Sequence, residues 1–325
     1  MKKKIMISAI KPTGKLHLGN YFGAMKQFTD LQNEGQYESY VFVADYHALN
    51  TVQNKEEIKQ YSFDIICAYL AIGLDPKKTI LYKQSSLPEV TELTWIFNTQ
   101  TSMPYLMRAH AFKDAEAKKK EISIGTFTYP MLMAADILIC NADVVPVGKD
   151  QKQHIEMARE IGQKFNRTYN VEMFKDPQEL ILEEVETVPG TDGKKMSKSY
   201  GNVIPIFGSV EDITKAVMSV VTDSKTPEES KNPDEVLVYQ LYKLVASDNE
   251  RETMCQGLQK GGLGYGEAKK ELLRKVLEYF KPIQERYEYF QRHPNKVSKI
   301  LARGTKKARL QAVEKMKKVK ESLGF

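Results

Sequence analysis

Up to about residue 207 the chain alternates between short unbroken apolar runs and stretches whose apolar residues recur at helical spacing. The runs lie at 5–10 (I-M-I-S-A-I), 40–44 (Y-V-F-V-A) and 79–83 (T-I-L-Y-K). A run with no polar alternation suits a strand buried on both sides, as in a parallel sheet covered by helices. After the first run, Lys11-Pro12-Thr13-Gly14 makes a turn, and a helix follows through about Gln32 with Leu18, Phe22, Met25, Phe28 and Leu31 along one side. Asn54 and Glu57 have capping-box spacing with Asn as the cap. The helix they open carries Ile58, Tyr61, Ile65, Cys67, Ala68, Leu70 and Ile72, and stops at Gly73. Another helix follows Pro88. This alternation predicts an α/β domain: a parallel sheet with helices on both faces. Beyond 207 the strand signal ends. Ala268, Leu272, Leu273, Val276, Leu277, Phe280 and Ile283 keep helical spacing, and the tail from Lys296 continues as a basic helix. The expected division is therefore 1–207, then an all-helical C-terminal domain over 208–325.

Composition narrows the class. At 325 residues and 42% hydrophobic, the chain can bury a substantial core. No apolar run approaches the ~18 residues of a bilayer span. The Lys-rich start precedes only a six-residue apolar run, cut by Lys11-Pro12; a signal peptide needs about 7–15 apolar residues there, so this run reads as a strand. Cys67, Cys140 and Cys255 lie far apart with no C-x-x-C pair, which predicts reduced thiols, no zinc or iron–sulfur site, and a cytoplasmic protein. The net charge of +6 is uneven: 291–320 holds eleven Lys/Arg against Glu314, a local +10 that leaves −4 elsewhere. That asymmetry fits either a polyanion held near the C-terminal end or a solvated lysine-rich helix.

Two segments carry most of the chemistry. Residues 12–20 (P-T-G-K-L-H-L-G-N) put His17, Gly19 and Asn20 at a strand-to-helix junction, where free backbone N–H groups favour phosphate. Residues 193–199 (G-K-K-M-S-K-S) put Lys195 and Lys198 three positions apart in a glycine-punctuated loop, enough positive charge for a departing pyrophosphate. Between them, Tyr129, Met133 and Asp136 fall at i, i+4 and i+7 of a predicted helix that begins at 129, with Pro130 in its first turn. A carboxylate flanked by an aromatic and a thioether can accept an indole N–H while apolar atoms grip the ring. The bland alternative is a core helix whose Asp136 caps or pairs nearby.

Taken together, the first two segments resemble the "HIGH" and "KMSKS" signatures of class I aminoacyl-tRNA synthetases. Asn20 replaces the last histidine of the first, as is common in the family's tryptophan enzymes. Residues 145–154 (V-P-V-G-K-D-Q-K-Q-H) are similar to those enzymes' "VPVGxDQxQH", 129–136 to "YPxLMAAD" and 45–48 (D-Y-H-A) to "DQHA". The likeness continues through 264–266 (G-Y-G) and 282–287 (P-I-Q-E-R-Y).

The resemblance implies a Rossmann-like domain with an inserted dimerisation and tryptophan-binding segment at about 100–187, and an anticodon-binding helical domain. It implies activation of tryptophan with ATP, Mg²⁺ bound through the nucleotide, transfer to tRNA, and a homodimer with no membrane role. His17, Asn20, Lys195 and Lys198 would be catalytic. Lys11, Pro12, Thr13, Gly19, Asn20, Gly148, Lys149, Asp150, Val188, Lys195, Met196, Ser197, Lys198 and Ser199 would contact ATP. Asp136 would accept the indole N–H, Met133, Val145, Val147 and Ile7 would line the pocket, and Tyr129, His47 and Gln151 would orient the substrate's polar groups. One departure stands out. After Phe112-Lys113-Asp114 the family often has a phosphate-contacting lysine, where this chain has Ala115; Lys118, Lys119 or Lys120, or Lys195 and Lys198 alone, are the candidates to replace it. A tyrosine ligase of the same fold and a non-catalytic RNA-binding paralogue stay as alternatives, since Asp136 by itself can also accept a phenol.

Overall fold

Each apolar run becomes a strand. The computed structural model describes residues 3–117, 121–148, 151–181 and 188–325. Its sheet contains β1 (Lys4–Ile10), β2 (Tyr37–Val43), β3 (Thr79–Lys83), β4 (Val144–Pro146) and β5 (Gln178–Leu180), all parallel, in the order β3-β2-β1-β4-β5. The order reverses between β1 and β4, and in open parallel sheets ligands bind at the carboxyl ends of the strands beside such a reversal. β5 was not foreseen: three residues with no apolar run give no periodicity to read.

Helices surround the sheet. They include α1 (Lys26–Glu34), α2 (Asp45–Ala48), α3 (Lys55–Ala71), α4 (Pro88–Gln100), α5 (Ile124–Ile139) and α6 (Lys152–Tyr169). The C-terminal region is helical, with α7 (Val210–Met218), α8 (Leu237–Tyr242), α9 (Asp248–Lys260), α10 (Tyr265–Arg292) and α11 (Pro294–Leu323). No helix among the described residues is long and apolar enough to cross a membrane. Asn54 caps α3 by accepting from Glu56 N (2.9 Å) and Glu57 N (3.1 Å), and the chain leaves after Gly73 at φ +109. Two expectations need correcting. The helix expected after Gly14 is broken by a wide π-type turn at Tyr21–Met25 before α1 begins. And α5 starts at Ile124, not 129, because Ser123 Oγ caps Thr126 N (3.1 Å); Pro130 therefore sits inside the helix rather than in its first turn.

The chain falls into two compact units. The sheet unit comprises Met1–Thr13, Phe28–Leu182 and Phe290–Phe325. Ile5, Ile7, Tyr40, Phe42, Ile80, Tyr82 and Val145 share one core cluster with apolar residues of α4, α5 and α6, while the alternate residues Met6, Val41, Val43 and Leu81 are buried as well. α11 belongs to this unit. It adds Ala308, Ala312, Met316 and Val319 to the same cluster. At Gly304 it presses on the edge strand β3 so closely that a Cβ there would come within 1.8 Å of the Leu81 carbonyl oxygen. A helix laid along β3 shields one of the sheet's two edges.

The helical unit comprises Gly14–Gln27 and Glu183–Tyr289. Its N-terminal piece is held by backbone bonds, Leu18 N to Ile204 O (3.0 Å) and Ile206 N to Leu16 O (3.2 Å). Tyr21 adds edge-on ring contacts to Tyr279 (5.9 Å) and Phe280 (5.0 Å) of α10. The units thus cut the chain differently from a boundary at 207. Aromatic packing on α10 draws 14–27 into one unit, and the apolar face of α11 draws 290–325 into the other.

Candidate active site

The carboxyl ends of the strands deliver one cluster within the sheet unit. β3 ends at Lys83, and the next residue, Gln84, is fully buried. β2 runs through Ala44 into α2, which carries Asp45 and His47. On α5, Asp136 lies on the face that also bears Tyr129 and Met133. These elements meet at the Asp136 carboxylate, which is 5% exposed. Gln84 Nε2 donates to both of its oxygens, at 2.8 Å to Oδ2 and 3.0 Å to Oδ1. His47 Nε2 lies 3.1 Å from Oδ2. Burial raises the carboxyl above its ordinary range, opposed by the His47 and Gln84 hydrogen bonds.

The walls are apolar. Ile7 and Val145 are buried in the core cluster, and Met133 and Val147 pack against it partly buried. Tyr129 stands edge-on to His47 (5.8 Å between ring centres) and hydrogen-bonds His154. Lys11 Nζ lies 5.9 Å from the Tyr129 ring centre, Pro12 is buried, and Thr13 N donates to Lys11 O (3.0 Å). Gly148 is exposed and accepts from Gln151 N (2.9 Å), just ahead of α6. Lys149 and Asp150 lie outside the described residues, as do Lys118, Lys119 and Lys120.

The helical unit assembles the second cluster, from residues 14–20 of the first signature segment and the whole of the second. His17 is 5% exposed, and its Nδ1 has no hydrogen-bond partner. Burial, helped by the nearby Lys198, lowers its pKa to about 4. Asn20 Oδ1 accepts His17 N (3.2 Å), so the Asn20 amide N–H groups remain for another partner. Gly19 sits close against its neighbours: a Cβ there would lie 3.1 Å from the His17 ring and 3.3 Å from Met196 Cβ, so one of them would have to shift by a few tenths of an ångström. Gly19 N points at Met196 Sδ (3.3 Å), so buried Met196 ties the 195–199 loop to the first signature. Lys198 Nζ donates to Gly14 O (2.9 Å), and burial lowers its pKa to about 8. Lys195 and Ser199 are exposed, and Ser197 Oγ lies 2.9 Å from Ser199 Oγ. Buried Val188 accepts Met196 N (3.0 Å) through its carbonyl.

Sequence reading missed two residues. Gln84 follows a strand as an ordinary polar terminator, and only the fold aims it at Asp136. Asn202, 2% exposed, organises the loop: it accepts Ser197 N (2.8 Å) and donates to Asp192 Oδ1 (2.6 Å) and Lys195 O (3.2 Å). Its position just past the KMSKS-like segment was the one available signal. Among the described residues no group of three or more His, Cys, Asp or Glu gathers as a metal site.

Residues 2–281 match the family described as tRNA synthetases class I (W and Y). A tryptophan–tRNA ligase from Fusobacterium nucleatum is 49% identical over 324 residues, covering 99% of this chain and 98% of that one. One from Rhodopirellula baltica is 44% identical over 320 residues, covering 98% and 99%. Among solved structures, a tryptophanyl-tRNA synthetase from Campylobacter jejuni complexed with ADP and tryptophan superposes with a TM-score of 0.91 at 42% identity, covering 98% of this chain and 99% of that chain.

Proposed function

Because the chain belongs to the class I tRNA synthetases of the tryptophan and tyrosine family, we infer from its near full-length tryptophan relatives that it is a tryptophan–tRNA ligase. It activates tryptophan with ATP, releases pyrophosphate, and passes the tryptophanyl group to the 3′ end of tRNA. The tyrosine-ligase and non-catalytic alternatives are not favoured by these relatives.

The observation that carries the substrate assignment is the buried Asp136 carboxylate among apolar walls, held by Gln84 and His47. Asp136 accepts the indole N–H, with Ile7, Met133, Val145 and Val147 around the ring and Tyr129, His47 and Gln151 on the polar end. The tryptophan carboxylate is already a nucleophile and needs no catalytic base. It attacks the α-phosphorus in line, and catalysis rests on positioning and charge stabilisation. His17, neutral well below physiological pH, donates a hydrogen bond rather than a charge to the phosphates. The Asn20 amide adds N–H donors, and Lys195 and Lys198 meet the charge that develops on pyrophosphate. Either these two lysines serve alone, or Lys118, Lys119 or Lys120 stands in for the lysine the family often has where this chain has Ala115. Lys11, Pro12, Thr13, Gly19, Gly148, Lys149, Asp150, Val188, Met196, Ser197 and Ser199 complete the nucleotide contacts. Mg²⁺, bound through the nucleotide, would neutralise phosphate charge. In the second step a ribose hydroxyl of the terminal adenosine takes the acyl group and AMP leaves.

The same reading makes the protein a cytoplasmic homodimer, with about 100–187 supplying the dimer contacts and 208–325 approaching the anticodon. Large apolar side chains left open along 95–124 support the dimer: Trp95 is 70% exposed, Met103 66% and Ile124 76%. ATP–pyrophosphate exchange tests the substrate assignment, with tryptophan, tyrosine and phenylalanine at equal concentration. Exchange with tryptophan alone is expected. Asp136→Ala should raise the tryptophan KM and weaken discrimination, because a site built to pair an N–H rejects analogues lacking it by roughly 10⁴–10⁵. Exchange driven by tyrosine would overturn the assignment and leave the reaction class standing.

A further inference from the structure

Gln84 is fully buried, and all its hydrogen-bonding groups point at named partners. At one end, Nε2 bridges both oxygens of Asp136. At the other, Oε1 accepts the backbone N–H groups of Tyr46 (3.0 Å) and His47 (3.4 Å) in the first turn of α2. The amide cannot turn over: a flip would set its carbonyl against the carboxylate and its N–H groups against two N–H donors. We propose that Gln84 is a specificity-determining positioning residue, which holds Asp136 as an acceptor for the indole N–H and carries His47 into place beside it. The proposal rests on the reading of Asp136 as the indole acceptor.

Counting lone pairs makes the role specific. A carboxylate has about four acceptor positions, two on each oxygen. Oδ2 takes Gln84 and His47, and Oδ1 takes Gln84 alone. The position left open for a substrate donor is therefore on Oδ1. Glutamine suits the task because it donates at one end and accepts at the other. Leucine does neither, and ionised glutamate only accepts.

The titratable groups facing this cluster are Asp45 and His47 from α2, Tyr82 from β3, and Cys140 and Tyr129 from the α5 region, with His154 behind Tyr129. All are unchanged in the variants that follow, so a new pH dependence belongs to position 84 and its carboxyl partner. Without its amide donor, as in Gln84→Leu, Asp136 takes up a proton at higher pH and stops accepting well. The tryptophan KM should then rise as pH falls. Gln84→Glu has the opposite sign. One proton shared between the introduced carboxyl group and Asp136 reproduces the glutamine pattern at acid pH, and its loss sets two carboxylates against each other. The tryptophan KM of this variant should rise as pH rises.

The test is ATP–pyrophosphate exchange by wild type, Gln84→Leu, Gln84→Glu and Asp136→Ala, with KM for tryptophan and for ATP followed between about pH 5.5 and 8.5. Opposite slopes of tryptophan KM, each at least about tenfold across the range, with ATP KM unchanged, are the expected result. If both Gln84 variants change KM by one factor at every pH, Gln84 only packs and the proposal is overturned. If Asp136→Ala keeps wild-type selectivity, the reading of Asp136 fails instead. If that variant loses selectivity while both Gln84 variants follow the wild-type profile, the Gln84 proposal fails alone. Glutamate is isosteric with glutamine, so a Gln84→Leu chain that does not fold leaves the decisive slope measurable.

Discussion

His17 shows how burial chooses the form in which a side chain works. Its pKa is about 4 in the fold against 6.5 for the free side chain, chiefly through desolvation, so the imidazole is neutral wherever the enzyme operates. Above pH 6.5 neither folded nor unfolded chain protonates it, and it contributes nothing to the pH dependence of stability. Between 6.5 and about 4 the unfolded chain binds a proton that the folded chain refuses, so stability falls as pH falls. The slope is at most ~1.4 kcal/mol per pH unit. Urea unfolding at pH 6.5 and pH 5 should therefore show wild type losing up to about 2 kcal/mol more than His17→Gln. Equal losses in both would mean that the imidazole is hydrated in the folded chain.

At the scale of elements, Gly304 decides how α11 meets β3. A methyl group there would come within 1.8 Å of the Leu81 carbonyl oxygen and 2.8 Å of its carbon, and a buried strand backbone cannot yield cheaply. Gly304→Ala should destabilise the sheet unit by about 1–3 kcal/mol, read as a lower denaturation midpoint, although alanine is the better helix former at an open site. A midpoint equal to or above wild type would mean that the helix does not press on that strand. Nothing in the sequence announces this contact, because A-R-G-T inside a basic helix gives no clue to what lies opposite. What sequence does reveal is set by periodicity. β3 appears over its full span, and β1 and β2 appear with ends displaced by a few residues, because continuous apolar runs have few other homes. β5 and the early start of α5 were hidden, the first for want of length and the second because Pro130 looks like a beginning. The same logic divides the site. Asp136, His47, Tyr129 and Met133 could be named from motif and helical spacing, whereas Gln84 and Asn202 act through contacts 52 and 5–10 residues away that only the fold creates.

For the whole molecule, the basic tail has two duties. Of its eleven cationic residues, Arg309 pairs with Glu89 (3.0 Å) and Lys320 with Glu92 (2.7 Å), both on α4, and Lys315 donates to Met173 O (2.7 Å). Those three hold α11 to the sheet unit. Lys306 and Lys307 are exposed and stand in no ion pair among the described residues, so they remain available to a polyanion. Neutralising both to Gln should weaken tRNA binding and flatten its dependence on log salt by up to about 2, with pyrophosphate exchange unchanged. An unaltered salt slope would assign the tail to packing alone. Arg309→Gln should do the reverse, lowering stability and sparing the slope. Dimerisation has its own reporter: if the apolar surface along 95–124 is covered by a second subunit, diluting the protein should shift Trp95 emission to the red, and constant emission down to nanomolar concentration would show that this residue lies outside any contact that dissociates. The placement of α11 also bears on how the protein is made. A ribosome that has added residue 289 has delivered both signature segments and every strand, yet the β3 edge is still bare, able to pair with another nascent chain until α11 emerges. Polypeptides that terminate before α11 should therefore aggregate rather than accumulate as partly active ligase, so an enzyme that feeds tryptophan to translation begins work only once translation has passed its own α11.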